Sequence, residues 1–220
     1  MDHPQEQPPV TQPRLGNPAP AFEARTTQGT LRLEDFRGSW LVFFSHPADF
    51  TPVCTTEFIA FAAIHPALRS MNCELLGLSI DSIYSHIAWI RNIREKTGVE
   101  ISFPIVADQD GTIARRYGMI QPGDSGTETS RCLFVIDDKG VLRAMIYYPL
   151  TTGRNMEEVR RLVQALQTSD LHGVATPADW KPGDRVIVPP PLTQEDADRR
   201  RESSELECID WYYCKQSLPD

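Results

Sequence analysis

The residues Pro47-Ala48-Asp49-Phe50-Thr51-Pro52-Val53-Cys54 follow an apolar run, Trp40 to Phe44, and lead directly into Thr55-Thr56-Glu57-Phe58. Together they read as strand, loop and helix. Phe58, Phe61, Ala62 and Leu68 are spaced as one helix face, and Pro52 suits a position just before or within a first turn, so the helix is predicted to begin at about Cys54. A cysteine placed there meets unpaired first-turn N–H groups and the positive end of the macrodipole. Both favour the thiolate, the reactive form of the side chain. Thr51, three residues earlier, offers a hydroxyl that can hydrogen-bond the thiolate or an oxygen arriving at it. The alternative is a small buried apolar cysteine. It fits the neighbours poorly, because Thr, Asp and Pro are not core composition and Pro-rich loops ahead of helices are surface features.

The chain has 220 residues, 40% apolar and 24% charged, enough for one good-sized domain and a smaller one. A net charge of -8 with no dense basic patch argues against nucleic acid as a partner. No apolar run approaches the ~20 residues that span a bilayer, and Met1 to Arg14 is polar and Pro-rich without an apolar signal-peptide core. The expectation is a cytoplasmic protein with no membrane partner. Five cysteines in a chain of this size do not make a secreted disulfide framework, and in a reducing compartment each is reactive or buried according to its setting.

Residues 1–13 cannot bury a core and are expected to form a flexible Pro-rich arm. Short extended pieces are expected at 21–24 and 30–33, around Gln28-Gly29, and a central strand covered on both faces at Trp40 to Phe44. Cys73 to Ile80 is the next strand, and Asp81-Ser82 caps a helix carrying Ile83, Ile87, Ile90 and Ile93, which Gly98 ends. Ile101 to Val106 follows as a short strand, then a brief helix from Asp110-Gly111 to Tyr117-Gly118 and a polar loop, 121–130. Cys132 to Asp137 and Val141 to Tyr148 suit an antiparallel hairpin, and Asn155 caps a helix with Met156, Val159, Leu162, Val163 and Leu166. This order means α/β, with no narrower fold defined by composition. From Ser169 onward too few apolar residues remain for an independent core, so the tail is expected to lie against the main domain or a second subunit.

Pro47, Thr51 and Cys54 match the Pro-x-x-x-Thr-x-x-Cys signature of the peroxiredoxins, and all fourteen residues from Phe44 to Glu57 resemble the subgroup containing the 1-Cys enzymes. The resemblance runs from about Leu15 to Gln167 and continues through Ala175 to Trp180. It implies a thioredoxin-like α/β sandwich over 14–168 with a small C-terminal extension over 169–220. It also implies a thiol peroxidase that reduces hydrogen peroxide and organic hydroperoxides without metal or organic cofactor. Cys54 would be the peroxidatic nucleophile, becoming a sulfenic acid. An arginine at the Arg131 position contacts the reactive cysteine in this family, and the subgroup has a second arginine at Arg154; a fixed guanidinium stabilises thiolate and donates to peroxide oxygens. His46, next to Pro47, lines the pocket in relatives, where an imidazole can hydrogen-bond peroxide. Glu57 is either a first-turn dipole or capping-box acid or, one turn beyond Cys54, the holder of an arginine.

Cys73 and Cys132 lie in predicted strands and read as inert buried thiols. Cys208 and Cys214, six apart, have no His or further Cys nearby to complete a zinc site. Some bacterial and archaeal members of the subgroup end in an Asp-Trp-aromatic-aromatic-Cys segment whose last cysteine resolves the oxidised nucleophile, and Asp210 to Cys214 matches it. By that resemblance Cys214 resolves, in a bond between two subunits reopened by thioredoxin or another dithiol reductant, with Cys208 as the second candidate. The family implies homodimers, with decameric rings as a larger assembly. A 1-Cys cycle using an external thiol and a redox-gated oligomeric chaperone are the alternatives. Cys54 is not followed by a second cysteine at Glu57, which sets aside a Cys-x-x-Cys reductase, and Phe36 to Leu41 lacks the Gly-x-Ser-x-Gly pattern of lipid-hydrolysing relatives.

Overall fold

The computed structural model of the chain describes residues 12–202 and 206–218. The expected arm over 1–13 lies almost wholly outside them. The described chain divides into two compact units, the first ending at Met156 and the second starting at Glu157.

In the first unit seven strands, Glu23–Thr26 (β1), Gly29–Arg32 (β2), Trp40–Ser45 (β3), Cys73–Ser79 (β4), Ile105–Ala107 (β5), Arg131–Ile136 (β6) and Leu142–Tyr148 (β7), form one sheet in the order β2-β1-β5-β4-β3-β6-β7. β3 runs parallel to β4 and antiparallel to β6. All six residues of β3 are buried, as its unbroken apolar run requires. Its alternate residues serve two layers. Leu41 and Phe43 join Phe22, Leu76, Tyr117 and Phe134 on one face. Phe44 turns the other way and stacks on Phe61 at 4.0 Å, with Phe58 and Phe103 edge-on to it. Because β6 pairs antiparallel with β3, its first residue, Arg131, comes to the end of β3 from which the Cys54 loop departs.

Helix α1 spans Pro52–Ser70, so it begins two residues before the expected Cys54 start, with Thr51 as N-cap and Pro52 in the first turn. Its buried stripe is Cys54, Glu57, Phe58, Phe61, Ile64, His65 and Leu68. The stripe therefore carries a thiol and a carboxylate at its N-terminal end. Helix α2, Ile83–Thr97, has the expected caps: Ser82 Oγ accepts from Ser85 N, and Gly98 adopts the left-handed conformation, φ 76°. Its buried face is not the expected row of isoleucines. His86, Trp89 and Ile93 turn inward and Ile87 is exposed. β5 begins later than Ile101, because Pro104 has no N–H for a ladder bond. A short helix, Thr112–Arg116 (α3), and the β6/β7 hairpin follow within a residue or two of their expected places.

The second unit consists of Met156–His172 (α4, from its second residue), Val186–Ile187 (β8), Gln194–Glu202 (α5), Glu207–Asp210 (β9) and Tyr213–Gln216 (β10), the strands forming an antiparallel sheet in the order β8-β10-β9. Its small core joins Ala165 of α4, which precedes Ser169, to Trp180 and Val186, with Val174 and Leu218 against them. Trp180 Nε1 donates to Asp184 O, satisfying the one polar atom of that indole. Among the described residues no helix is long and apolar enough to cross a membrane.

Candidate active site

Cys54 is fully buried, so the loop before α1 folds under rather than lying on the surface as its composition indicated; of its residues, Phe50 is the exposed one, held at φ 56°. The surroundings of the Cys54 sulfur are nevertheless polar. An α-helix leaves its first N–H groups without intrahelical partners, and Pro52 has none, so those of Val53 and Cys54 are the first that α1 offers, in the same turn as the thiol. From β6, Arg131 Nη1 lies 3.4 Å from Cys54 Sγ and donates to Glu57 Oε2 at 2.8 Å, while its Nε donates to Leu150 O.

Glu57 is the anchor of both arginines. Arg154 donates to it three times, from the backbone N and Nε to Oε1 and from Nη2 to Oε2, and gives Nη1 to Cys132 O. Its guanidinium also sits over the Phe44 and Phe61 rings, 5.1 and 5.2 Å from their centroids. Burial pushes the Glu57 carboxyl up, but the charge and hydrogen bonds of Arg154, with the charge of Arg131, outweigh it and hold the group below its usual range. The two readings of Glu57 thus separate: its carboxylate accepts from Arg131 and Arg154, the second of the two. The carboxylate carries a charge-assisted network of four hydrogen bonds in which every donor is an arginine group.

On the loop, Pro47 is buried. The Thr51 hydroxyl donates to Ala48 O at 2.9 Å, which commits its proton locally and leaves its lone pairs as the outward function. His46 is fully buried, its ring 4.8 Å from Phe58 and stacked on Trp89 at 5.2 Å. Its Nε2 donates to Asp49 Oδ1 at 2.9 Å, and Asp49 in turn is bonded by His86 Nδ1 at 2.8 and 3.1 Å. Asp49 and His86 were not singled out by sequence reasoning. The available signal was a histidine on the α2 stripe at the i, i+3, i+7 spacing of His86, Trp89 and Ile93, hidden because the isoleucines alone already gave a helical period.

Cys73 and Cys132 are buried in strands as expected, and burial pushes both thiols up to about 12. Cys208 and Cys214, which the sequence left as two candidates for one role, are joined to each other in a disulfide across β9 and β10.

The sequence profile of the AhpC/TSA family matches residues 15–145, and that of the C-terminal domain of 1-Cys peroxiredoxin matches 165–204. A peroxiredoxin of Aquifex aeolicus is 60% identical, over 95% of this chain and 99% of that one. Among solved structures, the yeast mitochondrial 1-Cys peroxiredoxin has a TM-score of 0.83 at 39% identity, covering 93% of this chain and 99% of its own. Peroxiredoxin 6 of Arenicola marina has a TM-score of 0.84 at 35% identity, covering 94% and 98%. The fold is therefore the thioredoxin-like sandwich of a thiol peroxidase. The chain belongs to the peroxiredoxins, oxidoreductases that act on peroxide.

Proposed function

We propose that Cys54 is the peroxidatic nucleophile and that Arg131, oriented by Glu57, is its electrostatic partner, with Thr51, Pro47 and His46 shaping the pocket and Arg154 locking Glu57. The observation that carries this is the single guanidinium nitrogen, Arg131 Nη1, shared between Cys54 Sγ and Glu57 Oε2. The Cys54 thiolate attacks the terminal oxygen of hydrogen peroxide or an organic hydroperoxide. An S–O bond forms as the O–O bond breaks, and the departing oxygen takes the O–O electron pair and the proton released when the thiol ionised, leaving as water or alcohol. Arg131 and the first-turn N–H groups are fixed where negative charge moves from sulfur to the departing oxygen, so they need no rearrangement during the step.

The Cys54 sulfenic acid is resolved by Cys214, whose thiol displaces water to form a disulfide between the subunits of a homodimer, and a dithiol such as thioredoxin reopens it. The yeast mitochondrial relative resolves its thiol via glutathione/thioredoxin systems, which supports a reductant of that chemistry. The Cys208–Cys214 bond favours a second reading for one state of the chain: while it is closed, Cys214 has no thiol to give, and an external thiol must resolve Cys54 in a 1-Cys cycle. Peroxide consumption coupled to thioredoxin and its reductase tests the proposal. Cys54→Ser should abolish turnover and Cys214→Ser should abolish only the thioredoxin-supported cycle; wild-type turnover by Cys54→Ser would overturn it.

A further inference from the structure

Three buried side chains form a chain of hydrogen bonds beside the Cys54 loop, and two of them, Asp49 and His86, have no part in the reaction as proposed above; the third is His46. Their hydrogens can be placed from their partners. His86 Nε2 faces Val106 O at 3.1 Å, and a carbonyl only accepts. His86 Nδ1 faces both oxygens of Asp49, a carboxylate held well below its usual range because the hydrogen bonds and charges of His46 and His86 outweigh its burial. Both nitrogens of His86 face acceptors, so both carry hydrogen and the ring is an imidazolium paired with Asp49. His46 Nε2 also meets Asp49, and so donates. The remaining nitrogen, His46 Nδ1, is buried and has no hydrogen-bond partner among the described residues.

Burial and the charge of His86 together decide what that nitrogen is. A buried carboxylate alone would draw a second proton onto His46. Burial opposes this most strongly, and the positive charge of His86 adds to it, against the pull of Asp49 and, from the end of β4, Asp81. Asp49 can therefore orient the ring without charging it. The ring lies beside the reactive helix: it touches Phe58, one turn on from Cys54, and Trp89, whose Nε1 donates to Thr55 Oγ1, the neighbour of Cys54.

We propose that His86, acting through Asp49, fixes His46 as the neutral Nε2–H tautomer and so presents Nδ1 to the peroxide site as a bare acceptor for the O–H of the bound hydroperoxide. His86 and Asp49 are positioning residues, and the proposal rests on the assignment of Cys54 and its pocket as the peroxidase site. The role explains why a histidine, His86, and not an apolar residue fills this part of α2.

Nitrogen-15 NMR of histidine-labelled, reduced protein at neutral pH reads the tautomers directly, with rings assigned by single replacements. The expected spectrum has both His86 nitrogens protonated and, on His46, Nε2 alone. A protonated His46 Nδ1, a bare nitrogen on His86, or a stoichiometric metal ion on these rings overturns the proposal. In His86→Leu, His46 should take up a second proton, and the rate of Cys54 oxidation by hydrogen peroxide should fall about tenfold, the scale of one hydrogen bond. Alkylation of Cys54 by iodoacetamide, which has no O–H to orient, should change less than twofold. A folded His86→Leu protein with unchanged His46 nitrogens and unchanged peroxide rate overturns the proposal. Asp49→Asn provides the second variant, expected to move the His46 proton to Nδ1 with the same kinetic signature. Full turnover by Cys54→Ser would instead overturn the site assignment beneath the proposal, which the ring spectra do not depend on.

Discussion

Arg131 Nη1 lies 2.8 Å from Glu57 Oε2 and 3.4 Å from Cys54 Sγ, so the carboxylate that holds the guanidinium and the thiol beside it share one nitrogen. Arg131 is fixed on its other side by Leu150 O. The positive charge at the sulfur is thereby set by geometry laid down in folding, with contributions from β6, from α1 and from the segment after β7.

Replacing Arg131 by lysine keeps a charge but loses the planar fork that spans these partners. The second-order rate constant for Cys54 oxidation, followed by stopped flow, should fall roughly 10²–10³-fold, the scale of removing one fixed donor from a charge-stabilising site. Arg154→Lys should cost stability more than rate, because Arg154 donates to Glu57 and Cys132 O and not to the sulfur.

Glu57→Gln leaves two buried guanidinium groups facing a neutral amide. Breaking a buried pair from one side costs about 3–5 kcal/mol, so equilibrium urea unfolding should show a loss of that order together with a slower peroxide reaction. A loss below about 1 kcal/mol would mean that water, not Glu57, balances the arginines.

Acid should destabilise the protein in two stages. His46 is held below its ordinary value of 6.5 by burial, so the unfolded chain takes up that proton first and stability declines as pH falls from about 6.5. Glu57 and Asp49 are held below their ordinary values near 4.5 and 3.8, so their contributions are whole above those values and are lost as pH falls below them. Unfolding free energies measured from about pH 8 to about pH 3 should show His46→Asn flattening the first decline and Glu57→Gln the second.

Gly77 lies on β4 where an added Cβ would come 3.3 Å from Phe44 Cζ and 3.5 Å from Phe58 Cζ. Phe44 carries Arg154 on its face. Gly77→Ala should therefore overpack the layer behind Glu57, lowering stability by about 1–3 kcal/mol in thermal or urea unfolding.

Much of this was legible in the sequence, for reasons that can be named. The unbroken run Trp40 to Phe44, the Pro-x-x-x-Thr-x-x-Cys loop and the caps Ser82 and Gly98 are local signals, and local structure follows them. What escaped was set by contacts between distant residues. The α2 isoleucines give a regular period, but the inward face is chosen by Asp49, 37 positions before His86, which needs a ring nitrogen and not a methyl group. Glu57 read equally as a cap until Arg131 and Arg154, 74 and 97 positions away, met on it. The start of α1 moved back two residues because Thr51, and not Pro52 or Val53, has the extended backbone of an N-cap. Cys208 and Cys214 could be ranked only by resemblance, since their pairing depends on the β9/β10 register that sets them opposite each other.

The redox state of the tail should decide the fate of Cys54. Protein carrying the Cys208–Cys214 bond, given excess peroxide, should accumulate sulfinic Cys54, whereas protein with a reduced tail should form Cys54–Cys214 and be protected. Intact-mass analysis before and after reduction separates the two.

In the proposed function Cys54, alone among the cysteines of the first unit, is made reactive by Arg131, 3.4 Å from its sulfur, and the start of α1. To read this directly, fully reduced protein is given one equivalent of hydrogen peroxide in the presence of a dicarbonyl trap for sulfenic acid, and the adduct is mapped by peptide mass spectrometry. The label is expected on Cys54 and not on Cys73 or Cys132, whose thiols burial holds up to about 12. A label on either strand cysteine, or an unoxidised Cys54, would refute the assignment.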